Sequence, residues 1–132
     1  MPDTQCFEKY RRQAVSTQTP GELVVLLYDR AIFHAGTAAR AIALKKPSDA
    51  HAAIRKAQDI VWYLRGVLDP RYPVSQVLDA YYRTVLDQLS KANIGKDAAP
   101  LEDAMRAMRT LRDAWKQLEA QGHRSPAAGK AP

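Results

Sequence analysis

The chain has 132 residues, 46% of them apolar and 26% charged, with a formal net charge of +6, 6 Gly and 1 Cys. That length holds one helical core but hardly two. No apolar run approaches the roughly 18 residues of a membrane span, and the N-terminus lacks a charged head followed by an apolar stretch. Cys6 has no partner for an internal disulfide and no His or Cys nearby for a metal site, so a soluble, cytoplasmic, single-domain protein is expected.

The positive charge is spread thinly. Residues 1–18 hold three basic and two acidic side chains, and residues 122–132 hold two basic and none acidic, so half of the excess lies in the two ends. No basic run exceeds Arg11-Arg12 or Lys45-Lys46, which argues against nucleic acid as the main partner.

Residues 1–18 are polar, contain Pro2 and keep no helical period; Phe7, Tyr10 and Val15 are their only large apolar anchors. They read as an N-terminal arm. It is either a partly disordered terminus or a movable cover whose aromatic residues occupy a groove until a partner displaces them.

The chain is organised around the stretch that begins at Thr19. Thr19 suits an N-cap, Pro20 the first helical position and Glu22 the return half of a capping box. The helix should run from about Pro20 to about Lys45. Leu23, Val24, Leu27, Tyr28, Ala31, Ala35, Ala38, Ala39 and Ile42 form its core face. Leu26, Phe33 and Leu44 make a second, narrower stripe in the polar arc. That stripe packs against the arm or a neighbouring helix, or it lines a partner groove.

Pro47 should stop this helix, with Ser48 or Asp49 capping the next. The second helix, about Asp49 to Leu68, turns Ala50, Ala53, Ile54, Ala57, Ile60, Val61, Leu64, Val67 and Leu68 inward. Trp62 breaks its pattern, projecting among Arg55, Gln58, Asp59 and Arg65. It is either a ring lying on a basic stem or an interface anchor.

Asp69-Pro70-Arg71-Tyr72-Pro73 excludes helix interior. The third helix, about Val74 to Asn93, is read with Val74, Val77, Leu78, Tyr81, Val85, Leu89 and Ala92 inward, and with Tyr82 and Leu86 on its flank. Asn93 and Gly95 supply its C-terminus. The fourth helix has Pro100 in its first turn and ends near Gln121. It buries Leu101, Ala104, Met105, Met108, Leu111, Trp115 and Leu118. The tail, residues 122–132, has nothing to bury and should be disordered. The expected fold is all-α: an antiparallel four-helix bundle over residues 19–121 with an N-terminal arm and a disordered C-terminal tail.

No catalytic constellation is visible. His34, His51 and His123 stand far apart and none follows a Glu by three positions, so the carboxylate and Glu-x-x-His pattern of a bundle di-metal site is missing. Met105 and Met108 read as gap-filling core. No enzyme, metal or cofactor is expected. A bundle with surplus apolar surface is best explained as a binding module.

Three patches of sequence resemble the FliS-type flagellin export chaperones of bacteria. The first is Tyr10, then Val15-Ser16-Thr17-Gln18-Thr19-Pro20-Gly21-Glu22-Leu23 and Leu26-Leu27-Tyr28-Asp29. The second is Lys56-Ala57-Gln58-Asp59-Ile60 with Leu64 and Leu68-Asp69. The third joins Ala92-Asn93 to Leu111-Arg112-Asp113-Ala114-Trp115-Lys116. The chain departs from the family pattern at Gln18, where Ala is usual, and at Arg30, where Gly is usual. The resemblance implies a cytoplasmic bundle that binds the disordered C-terminal region of flagellin, prevents premature polymerisation and assists delivery to the flagellar type III export apparatus. It also favours the movable cover, with Tyr10 where arm, cargo and export gate meet.

The partner-binding residues expected are therefore Tyr10, Leu26, Phe33, Leu44 and Trp62. Two other readings remain open: an adaptor or chaperone for another flagellar or secretion component, and a basic nucleic-acid-associated bundle. The exposed stripes also leave open a homodimer in the absence of cargo.

Overall fold

The computed structural model describes residues 19–121. The arm, with Tyr10, and the tail lie outside the described residues. Four helices follow one another: α1 (Pro20–Ala43), α2 (Pro47–Gly66), α3 (Val74–Gly95) and α4 (Ala98–Ala120). Each packs against its two neighbours in a ring, with α1 also closing on α4.

Contacts at the helix ends fix the antiparallel sense. Thr19 Oγ1 donates to Glu119 Oε2 at 3.1 Å, which sets the start of α1 beside the end of α4. Asn93 Nδ2 lies 2.8 Å from His51 Nδ1, joining the end of α3 to the start of α2. Gly21 is buried at the first of these junctions, where an added Cβ would run into the Glu119 carboxylate.

The opening of α1 forms as its sequence dictates. The Glu22 backbone N–H donates to Thr19 Oγ1 at 3.1 Å, and the Thr19 N–H donates to Glu22 Oε1 at 2.9 Å. Both halves of the capping box are present, with proline in the first turn. The other boundaries differ in detail. Pro47 begins α2 rather than merely ending α1: Lys46 occupies the cap position and no side chain caps this helix. The missing proline N–H costs nothing at a first helical position.

At the end of α1, Lys45 takes a left-handed backbone with φ 58°. The N–H groups of Lys45 and Lys46 donate to the carbonyls of Ile42 and Ala41, which is a Schellman closure built without glycine. At the end of α3, Gly95 is still helical and Lys96 turns left-handed, with φ 48°. Lys96 Nζ is held by Asn93, donating to its backbone carbonyl at 2.6 Å and to its Oδ1 at 2.8 Å. Asp97 caps α4 by accepting from the Ala99 N–H.

The core has two textures. Between α1 and α2 it is small: Ala31, Ala35, Ala38, Ala50, Ala53 and Ala57 are all buried, which lets these helices approach closely and make the most extensive contact in the bundle. Between α1, α3 and α4 it is wide and filled by aromatics. Trp115 Nε1 donates to the Tyr28 hydroxyl at 2.9 Å, and that hydroxyl lies 2.5 Å from the hydroxyl of Tyr82.

This network corrects the expected register of α3. Tyr82 and Leu86, placed on the flank by spacing, are core residues; Val74, Val77 and Tyr81, placed inward, are exposed. The physical reason is pairing. The buried phenol is Tyr82, whose hydroxyl meets that of Tyr28, while Leu78, Val85, Leu89 and Ala92 stay buried as expected.

The loop after α2 is organised by a buried residue that spacing overlooked. Asp69 is 4% exposed. Its carboxylate accepts from the Arg71 backbone N–H and guanidinium, while its carbonyl accepts from Ser75 Oγ. The aspartate thus turns the chain between two prolines and ties the turn to the first residues of α3.

Two outcomes follow. The Lys45 side chain is exposed, so replacing this residue by glycine removes the left-handed penalty and should stabilise the bundle by about 0.5–1 kcal/mol in urea unfolding. The second concerns alkaline pH. Burial pushes Tyr28 up to about 12, against the hydrogen bonds from Tyr82 and Trp115 that pull it down; burial also lifts Tyr82 well above 10. The folded chain therefore keeps phenol protons that the unfolded chain releases from about pH 10. This stabilisation is complete below about pH 10 and is lost progressively as pH rises towards the raised value of Tyr28, about 12. Urea midpoints between pH 8 and 11 should fall accordingly, and less steeply in Tyr82→Phe.

Candidate docking surface

The expected partner-binding residues fall on two separate surfaces. Leu26, Phe33 and Leu44 share the outer side of α1, because steps of 7 and 11 residues at about 100° each return almost to the same direction. Phe33 is 53% and Leu44 66% exposed, and Leu26 is half-buried. Trp62 faces away from α1, into the groove between α2 and α3. Tyr10 lies outside the described residues.

On α1 the stripe carries charge. The Arg30 guanidinium stands 5.1 Å from the Phe33 ring centroid, and His34 meets the same ring edge-on at 5.5 Å. Arg30 Nε is buried and faces no acceptor among the described residues. Burial, then Arg30 and Lys56, pull His34 below its usual 6.5. Arg30, which departs from the family pattern, therefore builds a cationic, apolar ridge where a glycine would leave backbone. On its other side α1 is tied to α4: Arg112 Nη1 donates to Asp29 Oδ1 at 3.0 Å.

The α2–α3 groove is an open trough of about 670 Å³ lined by Arg55, Trp62, Leu86 and Asp87, among others. Gln58 Nε2 donates to Ser90 Oγ across it at 3.2 Å. Trp62 is 46% exposed. The ring lies under the Arg65 guanidinium at 5.2 Å, in keeping with a ring held by a basic side chain, and still presents surface to the groove.

A third apolar surface was not legible. Val74, Val77 and Tyr81 form an exposed stripe along the first turns of α3, at the end of the bundle where Thr19 begins α1. The sequence signal was present but ambiguous, since α3 carries two apolar stripes of similar length and spacing alone does not choose which faces inward. Ile94, 87% exposed near the end of α3, is a further surface side chain. Among the described residues no three His, Cys, Asp or Glu side chains gather as a metal-binding group, and no helix is long and apolar enough to cross a membrane.

The buried hydroxyls and indole of this bundle bond one another, and exposed apolar side chains are spread over several helix faces. That is the arrangement of a protein-binding module. The model of the flagellar protein FliS family matches residues 4–122, so the chain belongs to the FliS family. A flagellar secretion chaperone FliS of Bacillus subtilis (strain 168) is 32% identical over 111 residues, covering 84% of each chain. Membership sets the chain among chaperones of flagellar secretion, not among enzymes.

The ridge gives a measurable signature. In an NMR titration His34 should protonate below its usual range, and Arg30→Gly should move it upward without restoring it fully, because burial is the larger cause.

Proposed function

We propose that this chain is a cytoplasmic export chaperone that binds the disordered C-terminal region of flagellin, keeps it from polymerising before secretion and assists its delivery to the flagellar type III export apparatus. The observation that carries this reading is the distribution of free apolar surface in a FliS-family bundle. Phe33 and Leu44 lie on one side, Trp62 on another, and Val74, Val77 and Tyr81 near one end. No single short helix covers all three, whereas a disordered segment that forms amphipathic turns as it binds reaches them in succession. Ordering such a segment costs a few kcal/mol, so an extended contact area is needed for useful affinity.

The arm is the cover in this reading. What supports it is geometry: residue 19 sits at the same end of the bundle as the exposed α3 stripe, and an arm of this length reaches at most roughly 60 Å when extended. Phe7, Tyr10 and Val15 are then the side chains that shield apolar surface until the client displaces them. Tyr10 is also the contact offered to the export gate. Without a client, the same stripes are available to a second copy of the chain.

Calorimetric titration of the full chain with a C-terminal fragment of its own organism's flagellin tests the proposal. Tight binding with a negative heat-capacity change and weak salt dependence is expected. Phe33→Ala and Trp62→Ala should each weaken it by about tenfold, while Tyr10→Ala should alter affinity or delivery. Absence of binding at both low and moderate salt would reject flagellin as the client. Binding to nucleic acid that collapses steeply with salt would point instead to phosphate contacts.

A further inference from the structure

Trp62 differs from the other exposed aromatic side chains in how it is held. Phe33 touches Arg30 and His34 of its own helix. Trp62 is held through a chain that crosses to α3. The Arg65 guanidinium lies 5.2 Å from the Trp62 ring centroid, and Arg65 Nε donates to Asp79 Oδ1 at 2.6 Å. Asp79 Oδ2 also faces Arg83 Nε, at 3.5 Å. Arg65 and Asp79 are half-buried, at 29% and 36% side-chain exposure, whereas Arg83 is 63% exposed. The short bond is thus the sheltered one, and Arg83 is an outer, looser partner.

A planar guanidinium bonded through Nε has its plane set by that bond, and a guanidinium stacked on an indole sets the ring in turn. Partly exposed ion pairs contribute little to stability, so this alignment is of small value to the fold. Its value lies in preorganisation. A tryptophan whose orientation is fixed before the client arrives loses less side-chain freedom on binding.

We propose that Asp79 is a positioning residue for client docking: by fixing Arg65 against one face of the Trp62 ring, it holds that ring at the α2–α3 groove with its other face open to an aliphatic side chain of the client. Leu86, itself buried, lines the same groove from α3. This rests on the reading that Trp62 belongs to the flagellin-binding surface.

The test uses the full chain, the flagellin C-terminal fragment and acrylamide quenching. The chain has 2 Trp, and Trp115 is buried, so quenchable emission reports Trp62. Asp79→Asn should increase quenching and weaken the fragment by about threefold to tenfold, with the urea midpoint unchanged. Asp79→Glu should restore both. Arg65→Lys, which keeps the ion pair but loses the flat stack, should behave like Asp79→Asn. The proposal is overturned if Trp62→Ala weakens binding while Asp79→Asn leaves affinity and quenching as in the wild type. It is also overturned if Arg65→Lys binds normally, since a simple cross-link between helices would then suffice. If Trp62→Ala binds as tightly as the wild type, the docking role of Trp62 falls and this proposal with it. Flagellin as client is judged separately, by whether the wild type binds the fragment at all.

Discussion

The hydroxyl of Tyr28 sits where three helices meet. It accepts the indole N–H of α4 and shares a hydrogen bond with the phenol of α3, while α1 itself carries it. An aromatic side chain fills a wide gap cheaply, but its polar tip must find a partner once buried. Here each tip satisfies another. That requirement sets the rotation of α3 about its axis and thereby decides which of its apolar side chains remain outside. The fourth helix of the ring, α2, is held differently, by alanines that let it lie close against α1. A polar node on one side and a seam of small residues on the other close the middle of the bundle. What is left over is apolar surface, and it faces out.

That leftover surface has a distribution suited to an unfolded client. A folded partner presents one rigid face and would match one stripe. A segment without structure of its own bends from stripe to stripe and forms helical turns only where a groove rewards them. The stripes also differ in chemistry. The one on α1 is cationic beside Phe33, whereas the α2–α3 groove mixes an arginine and carboxylates around Trp62. On the proposed reading, different turns of the client meet different combinations of charge and apolar area, and its register along the bundle is set by the whole series rather than by any single contact.

Much of this was legible in the sequence. Thr19, Pro20 and Glu22 announced a helix start that forms with both capping bonds. Four helices and most of their core faces followed from periodicity, and Trp62 stood out because it interrupted one. The register of α3 was not legible. Tyr81 and Tyr82 are adjacent, each belongs to an apolar stripe, and the deciding contact comes from Tyr28, 54 positions away. Helix ends were obscured for a related reason: glycine marks a left-handed cap in a sequence, and this chain uses Lys45 and Lys96 instead. The contact between Arg65 and Asp79 was equally hidden, because it joins side chains of two helices. Of the candidate surface, side chains that violate a helical pattern were found, and those that satisfy an alternative pattern were missed.

The two left-handed lysines lie at the same end of the bundle, closing α1 and α3, opposite the end that Thr19 and Glu119 clasp together. Each end nonetheless has its own bond between helices, since Asn93 meets His51 at the lysine end. What separates the ends is backbone strain: Lys45 and Lys96 each carry the steric penalty of a left-handed residue that glycine would escape, so local opening near them relieves strain that opening elsewhere does not.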